Sequence, residues 1–109
     1  MSAKLPSPLA AFFRAFNAQD VKAVVALFTP DAVVVDEGRE HRGRAAVTAW
    51  CQRVMTAYQP QAEVRDIADA GKEIVVGVQV SGTFPGSPIH LHYAFTLKGT
   101  RIAAFASRN

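Results

Sequence analysis

Ala32-Val33-Val34-Val35-Asp36-Glu37-Gly38 reads as a β-strand that runs into a turn. Consecutive valines favour extended backbone, because β-branched side chains fit a pleated surface and lose χ1 freedom in a helix. The strand ends on two acids and a glycine. Asp36 therefore stands at or near the last residue of an apolar strand. A carboxylate there has two readings. Half-buried beside a cavity, it is a general base. Turned outward, it caps a turn or pairs with Arg39 or Arg42. Glu37 reads as its surface neighbour.

The chain around this strand has 109 residues, half of them apolar and 19% charged. That is a globular composition and the length of a single domain. The domain is expected to span residues 1–109, with 1–7 as a flexible tail. The net charge of +3 is too small to imply a nucleic-acid partner. Its one local concentration is Arg39, His41, Arg42 and Arg44, either a solvated loop or an anion contact. Cys51 is the sole cysteine, so no internal disulfide forms. Its apolar neighbours make it a core filler rather than a nucleophile. The first eight residues hold no apolar signal segment, and no apolar run approaches the ~20 residues of a membrane helix. A cytoplasmic protein is expected.

Upstream of the strand, Ser7-Pro8 looks like an N-cap with proline at the first helical position. Leu9, Phe12, Phe13 and Phe16 then form one apolar stripe. Asn17 and Gln19 end this helix and Asp20 caps a second. Val21, Val24, Val25 and Phe28 make the second stripe, which Pro30-Asp31 stops. Downstream, Arg39 to Arg42 reads as a short return strand. A third helix is predicted from Arg44 to Tyr58, ended by Pro60.

The remainder reads as β-structure. Val64 and Ile67 differ in parity along Glu63–Ala68, which predicts a bulge. Val76, Val78 and Val80 alternate in the next strand. Gly82 to Pro88 is a loop. Leu91, Tyr93, Phe95 and Leu97 share one face, and Ile102 to Phe105 makes the last strand. Helices grouped before a run of strands indicate an α+β domain, with three N-terminal-half helices on one face of a curved, mainly antiparallel sheet. A pocket would lie between sheet and helices.

Three groups of residues carry a family resemblance. They are Phe16-Asn-Ala-Gln-Asp20 with Val25-Ala-Leu-Phe28 and Pro30-Asp-Ala-Val-Val34; His41-Arg-Gly-Arg-Ala-Ala-Val47; and Gly82-Thr-Phe-Pro-Gly86 with His92-Tyr-Ala-Phe-Thr-Leu97. Together they resemble the nuclear-transport-factor-2-like superfamily, in its SnoaL-like polyketide cyclase and ketosteroid isomerase-like branch. The resemblance implies a cone-like curved sheet around a helix, an apolar pocket open at one end, and often a homodimer. It also implies that Asp36 matches the carboxylate which, in ketosteroid isomerases, abstracts a proton beside a carbonyl. The hydrogen-bond donors that stabilise the resulting enolate in those enzymes are replaced here by Phe12 and Leu91. An oxyanion hole contributes several kcal/mol, so steroid isomerisation is not expected. Tyr93, Tyr58, Trp50 or a water would have to supply the donor, with Tyr93 best placed by parity.

The expected catalytic residues are thus Asp36 and Tyr93. Phe12, Phe16, Trp50, Tyr58, Val78, Phe95 and Phe105 are expected to touch an apolar small molecule, although for Trp50 and Tyr58 core packing is the ordinary alternative. No cofactor or metal is called for. His90 and His92 either do acid/base or metal work or lie on the outer sheet face, where a homodimer would form. Glu63, Asp66 and Asp69 read as solvent-facing. Two functions remain open: a cofactor-independent isomerase or cyclase, or a non-catalytic binding or dimerisation module whose pocket its own aromatics fill.

Overall fold

The structure is a computed structural model that describes residues 5–108. Residues 1–4 of the expected tail lie outside that range. Within it, Leu5 packs against the core and Ser7 already belongs to the first helix.

Helix α1 spans Ser7–Asn17 and α2 spans Val21–Ala26. Ser7 is not the cap. Pro6 is, through its carbonyl, which accepts from the backbone N–H groups of Leu9 and Ala10 at 2.9 and 3.0 Å. The helix starts one residue early because Pro8 needs no N–H partner in the first turn. Asp20 does cap α2, its Oδ1 accepting from Ala23 N–H at 3.0 Å.

Strand β1 covers Phe28–Asp36 and ends on Asp36 as expected. Its start corrects the sequence reading. Phe28 opens the strand instead of closing the helical stripe, and Pro30-Asp31 lies inside β1. A proline is tolerated there because the pairing with the last strand breaks between Phe28 and Val33, so no ladder hydrogen bond needs its missing N–H. Strand β2 is Arg39–Arg42 and α3 is Arg44–Tyr58, both with the predicted bounds.

Strands β3 (Gln61–Asp69), β4 (Ile74–Ser81), β5 (Ile89–Lys98) and β6 (Arg101–Arg108) form an antiparallel meander. The predicted bulge is present: the β3–β4 register shifts between Val64 and Asp66, so Val64 pairs with Val78 and Ile67 with Val76. The six-stranded order is β2-β1-β6-β5-β4-β3. It is a mixed sheet, because β1 and β6 run parallel. This α+β architecture of three helices on a curved, unclosed sheet is the cone-like arrangement expected.

The concave face is aromatic. Phe12 is fully buried, and its ring lies 5.2 to 6.3 Å from those of Phe13, Phe16, Phe28, Phe95 and Phe105. Val34, Val76, Val78 and Ile102 complete the packing. Cys51 is buried among apolar neighbours, and burial pushes its thiol up to about 11, so it stays protonated and inert. No helix among the described residues is long and apolar enough to cross a membrane.

One polar clamp ties α1 to the sheet edge. Asn17 Nδ2 donates to Ala62 O at 3.0 Å, and Ala62 N–H donates to Asn17 Oδ1 at 2.8 Å. Asn17→Ala removes both bonds and leaves two partly buried strand groups, the N–H and C=O of Ala62, unpaired. A loss of roughly 2 kcal/mol is expected, read as a lower midpoint in urea unfolding at unchanged slope.

Candidate functional site

A cavity of about 600 Å³ opens between the end of β1, the C-terminal part of α3 and the β4–β5 loop. Asp36, Tyr93, Phe16 and Tyr58 border it, as do Leu91 and Phe84. Its position follows from the chain. Asp36 faces inward because Val34, two residues earlier on the same side, is buried in the core. Tyr93 faces inward with Phe95 for the same reason.

Asp36 is half-buried, and Trp50 Nε1 on α3 donates to its Oδ2 at 2.9 Å. Its side chain therefore faces the interior. The arginine pairing does not form: Arg42 bonds to Glu40, and no ion pair of Arg39 occurs among the described residues. Asp36 thus keeps one oxygen fixed by a neutral donor while its group borders an open space.

Tyr93 is only 5% exposed, yet its hydroxyl has no hydrogen-bond partner among the described residues. Burial, and secondarily the nearby charge of Asp36, hold the phenol protonated well above its usual range. It is a standing hydrogen-bond donor beside a carboxylate. Tyr58 donates from the rim to Glu37 Oε2 at a long 3.4 Å, and its ring meets that of Phe84 edge-on.

The other expected contact residues sit deeper. Phe12, Val78 and Phe95 are fully buried and do not border the cavity. Phe105 packs between Tyr93 and Trp50, with ring centroids 4.9 and 5.6 Å away. Trp50 acts on the site through its hydrogen bond and not as lining. The structure therefore brings Asp36, Tyr93, Phe16 and Tyr58 together at the cavity and leaves Phe12, Val78, Phe95 and Phe105 as the packing behind it. Of the two positions without a donor, Leu91 borders the cavity and Phe12 does not.

Glu37, read from the sequence as a surface neighbour of Asp36, also borders the cavity, as do Phe84 and Ser107, which sequence reasoning missed. Ser107 had a signal, since it pairs with Tyr93 across β5–β6. Phe84 lies in a loop held by Thr83 N–H donating to Tyr58 O at 2.8 Å. Gly82 fits there because a Cβ would collide with that same carbonyl oxygen. Gly82→Ala is expected to cost about 1–3 kcal/mol and to displace the Phe84 wall. A thermal melt and the Phe84 ring resonances would show both.

His90 and His92 point away from the cavity, on the outer face, with ring centroids 5.0 Å apart. Glu63, Asp66 and Asp69 are exposed, as expected. Among the described residues no group of three or more His, Cys, Asp or Glu side chains is arranged to hold a metal ion. A second hollow of about 580 Å³, lined by Gln19, Gln52, Gln59 and Gln61, contains no titratable side chain.

Residues 9–105 match the family model described as a SnoaL-like domain. This chain belongs to that family. No curated protein matches it. Among solved structures, this SnoaL-like domain is similar to a protein from Sinorhizobium meliloti described as a candidate polyketide cyclase, with 38% identity over 95% of both chains and a TM-score of 0.91. It is also similar to SalBIII, described as an epoxide hydrolase/cyclase-like enzyme in pyran ring formation in polyether salinomycin. There the identity is 26% over 93% of this chain and 86% of the other, with a TM-score of 0.80. A protein from Catenulispora acidiphila with a ketosteroid isomerase-like fold shares 18% identity over 97% of this chain and 87% of its own, with a TM-score of 0.83. That likeness is one of fold.

Proposed function

We propose that this SnoaL-like domain is a small-molecule pocket protein acting as a cofactor-independent isomerase or cyclase on an apolar carbonyl compound. The supporting observation is the inward-facing Asp36, oriented by Trp50 and set beside the protonated, unpartnered phenol of Tyr93. In this reading the substrate carbonyl accepts a hydrogen bond from Tyr93. Asp36 takes a proton from the adjacent carbon, and the electron pair of the broken C–H bond moves into the enolate. Return of the proton to another carbon gives an isomer. Attack of the enolate carbon on an internal electrophile closes a ring. Tyr93 takes the place of the donors missing at Phe12 and Leu91, and a single such donor is worth about 100- to 1000-fold in rate.

Deuterium incorporation tests the proton-abstraction step without knowledge of the product. Wild type in D2O is expected to accelerate exchange beside the carbonyl of apolar ketones, and Asp36→Asn is expected not to. Equal exchange by both proteins would reject the base role.

The second reading is a non-catalytic binding or dimerisation module. The observation in its favour is that Phe12, Phe95 and Phe105 already fill much of the concave face. A second copy would dock on the outer sheet face. There the register aligns Ala68, Val75, Ala94, Ala106 and Val35 in one row of small and apolar residues across five strands. Sedimentation of wild type against Ala94→Arg checks this: a dimer that the variant dissociates supports it.

A further inference from the structure

The ionisable groups that border the cavity are the carboxyls of Asp36 and Glu37 and the phenols of Tyr58 and Tyr93. Among the described residues, lysine, arginine and histidine are absent from that lining, although the whole chain carries a net charge of +3. The adjacent basic residues do not fill the gap. Arg39 pairs with Asp36 through the backbone ladder only, and Arg42 is bonded to Glu40. Asp36 is held by an uncharged indole N–H, which orients the charge without neutralising it. Among the described residues, the one hydrogen-bond partner of Glu37 is the distant Tyr58 hydroxyl. Tyr93 turns an unpartnered hydroxyl to the same space from a side chain that is otherwise buried. The rings of Phe16, Tyr58, Phe84 and Tyr93 also border the space, and an ammonium set over a ring face gains from its negative quadrupole.

Such a lining discriminates by charge. An anion would meet two carboxylates with no counter-ion. A neutral carbonyl compound would gain shape fit and the Tyr93 hydrogen bond, with no charge term. A cation alone gains from both carboxylates, of which Asp36 is half-buried and Glu37 lies exposed at the rim. Glu37 is placed for this contact at some conformational cost. It has φ 53° at the first central position of the two-residue Glu37-Gly38 hairpin turn, where Asn, Asp or Gly is the usual choice.

We propose that the substrate of this cavity is an apolar compound that carries a protonated or quaternary amine, with Glu37 and Tyr58 holding the ammonium at the rim. The inference rests on the functional reading above and names its substrate class. The reacting carbon then lies at the inner end, beside Asp36 and Tyr93. The ammonium group stays at the mouth and leaves the base free.

The sole tryptophan gives a local readout, because the indole N–H of Trp50 is bonded to Asp36. Titration of that resonance at neutral pH with phenylbutylamine, phenylbutanone and phenylbutyrate compares cation, neutral ketone and anion of similar size. Wild type is expected to bind the amine about tenfold more tightly than the ketone, and the carboxylate most weakly. Glu37→Gln is expected to erase the amine's advantage over the ketone. Glu37→Asn, a residue favoured at that turn position, repeats the test should the glutamine variant fold poorly. An amine that binds no better than the ketone, or an advantage that survives both substitutions, overturns the proposal. Asp36-dependent ketone binding without charge preference would overturn it while the pocket reading stands. Binding of none of the probes would overturn both.

Discussion

Asp36→Asn is expected to lower turnover by about 100-fold or more and to leave the fold intact. The two halves of that expectation have separate physical grounds. Asparagine keeps an oxygen where Asp36 Oδ2 accepts from Trp50 Nε1, so the buried indole N–H remains satisfied. The stability change should stay within about 1 kcal/mol. What is lost is the lone pair of a carboxylate that can accept a proton, and Tyr93, which is protonated already, cannot replace it. Single-turnover kinetics beside a urea titration separate the two. A variant that loses activity because it unfolds would not support the base role. Trp50→Phe offers a graded companion. It keeps an aromatic in the core but frees the carboxylate to rotate, and it should lower turnover by about tenfold, less than the loss of the carboxylate itself.

Phe12→Ala is expected to cost roughly 3–5 kcal/mol, a large share of the 5–15 kcal/mol that stabilises a typical domain. Phe12 is fully buried and is the ring shared by the α1 aromatics, the β1 start and the β5–β6 pair. Its removal leaves a void where α1 meets the concave sheet, and neighbours fixed on separate elements cannot collapse into it. The expected result is a fall in Tm of roughly ten degrees or more. A loss below about 1 kcal/mol would mean that the cone closes around the gap. Phe12→Tyr separates packing from chemistry. The added hydroxyl would enter a ring cluster without a polar partner and destabilise by about 1–3 kcal/mol. It would not rebuild the donor that Phe12 displaces, because Phe12 does not border the cavity.

Local pattern gave most of the elements. The α3 bounds follow from Gly43 before it and Pro60 after it, and the strand β2 from the turn at Gly38. The parity break between Val64 and Ile67 marks the bulge within the sequence itself. Asp36 was legible because a strand of valines ended on it. Long-range pairing was not legible. Nothing near Pro30 shows that β1 and β6 run parallel, or that their ladder is interrupted where the proline lies. Parity also separates inward from outward residues but carries no depth. Phe12, Phe95 and Tyr93 all face inward, and only packing decides that Tyr93 reaches the cavity while the others close the core behind it. The Trp50–Asp36 bond joins a helix and a strand by their docking, which no spacing rule reports. Glu37 reads from the sequence as a surface neighbour of Asp36, because no local pattern shows that the turn carrying it borders the cavity.

The central claim is that Asp36 works inside a ligand pocket. Thermal stability of wild type and Asp36→Asn, measured side by side against steroids, polyketide-like ketones, terpenoid epoxides, fatty acids and apolar amines, tests it most directly. A ligand at 100 times its Kd should add about 2.7 kcal/mol, a shift of several degrees for a domain of this size. The account predicts a compound that raises the melting temperature of wild type and does so to a different extent in Asp36→Asn. Identical shifts in the two proteins, or no shift in either, would contradict it.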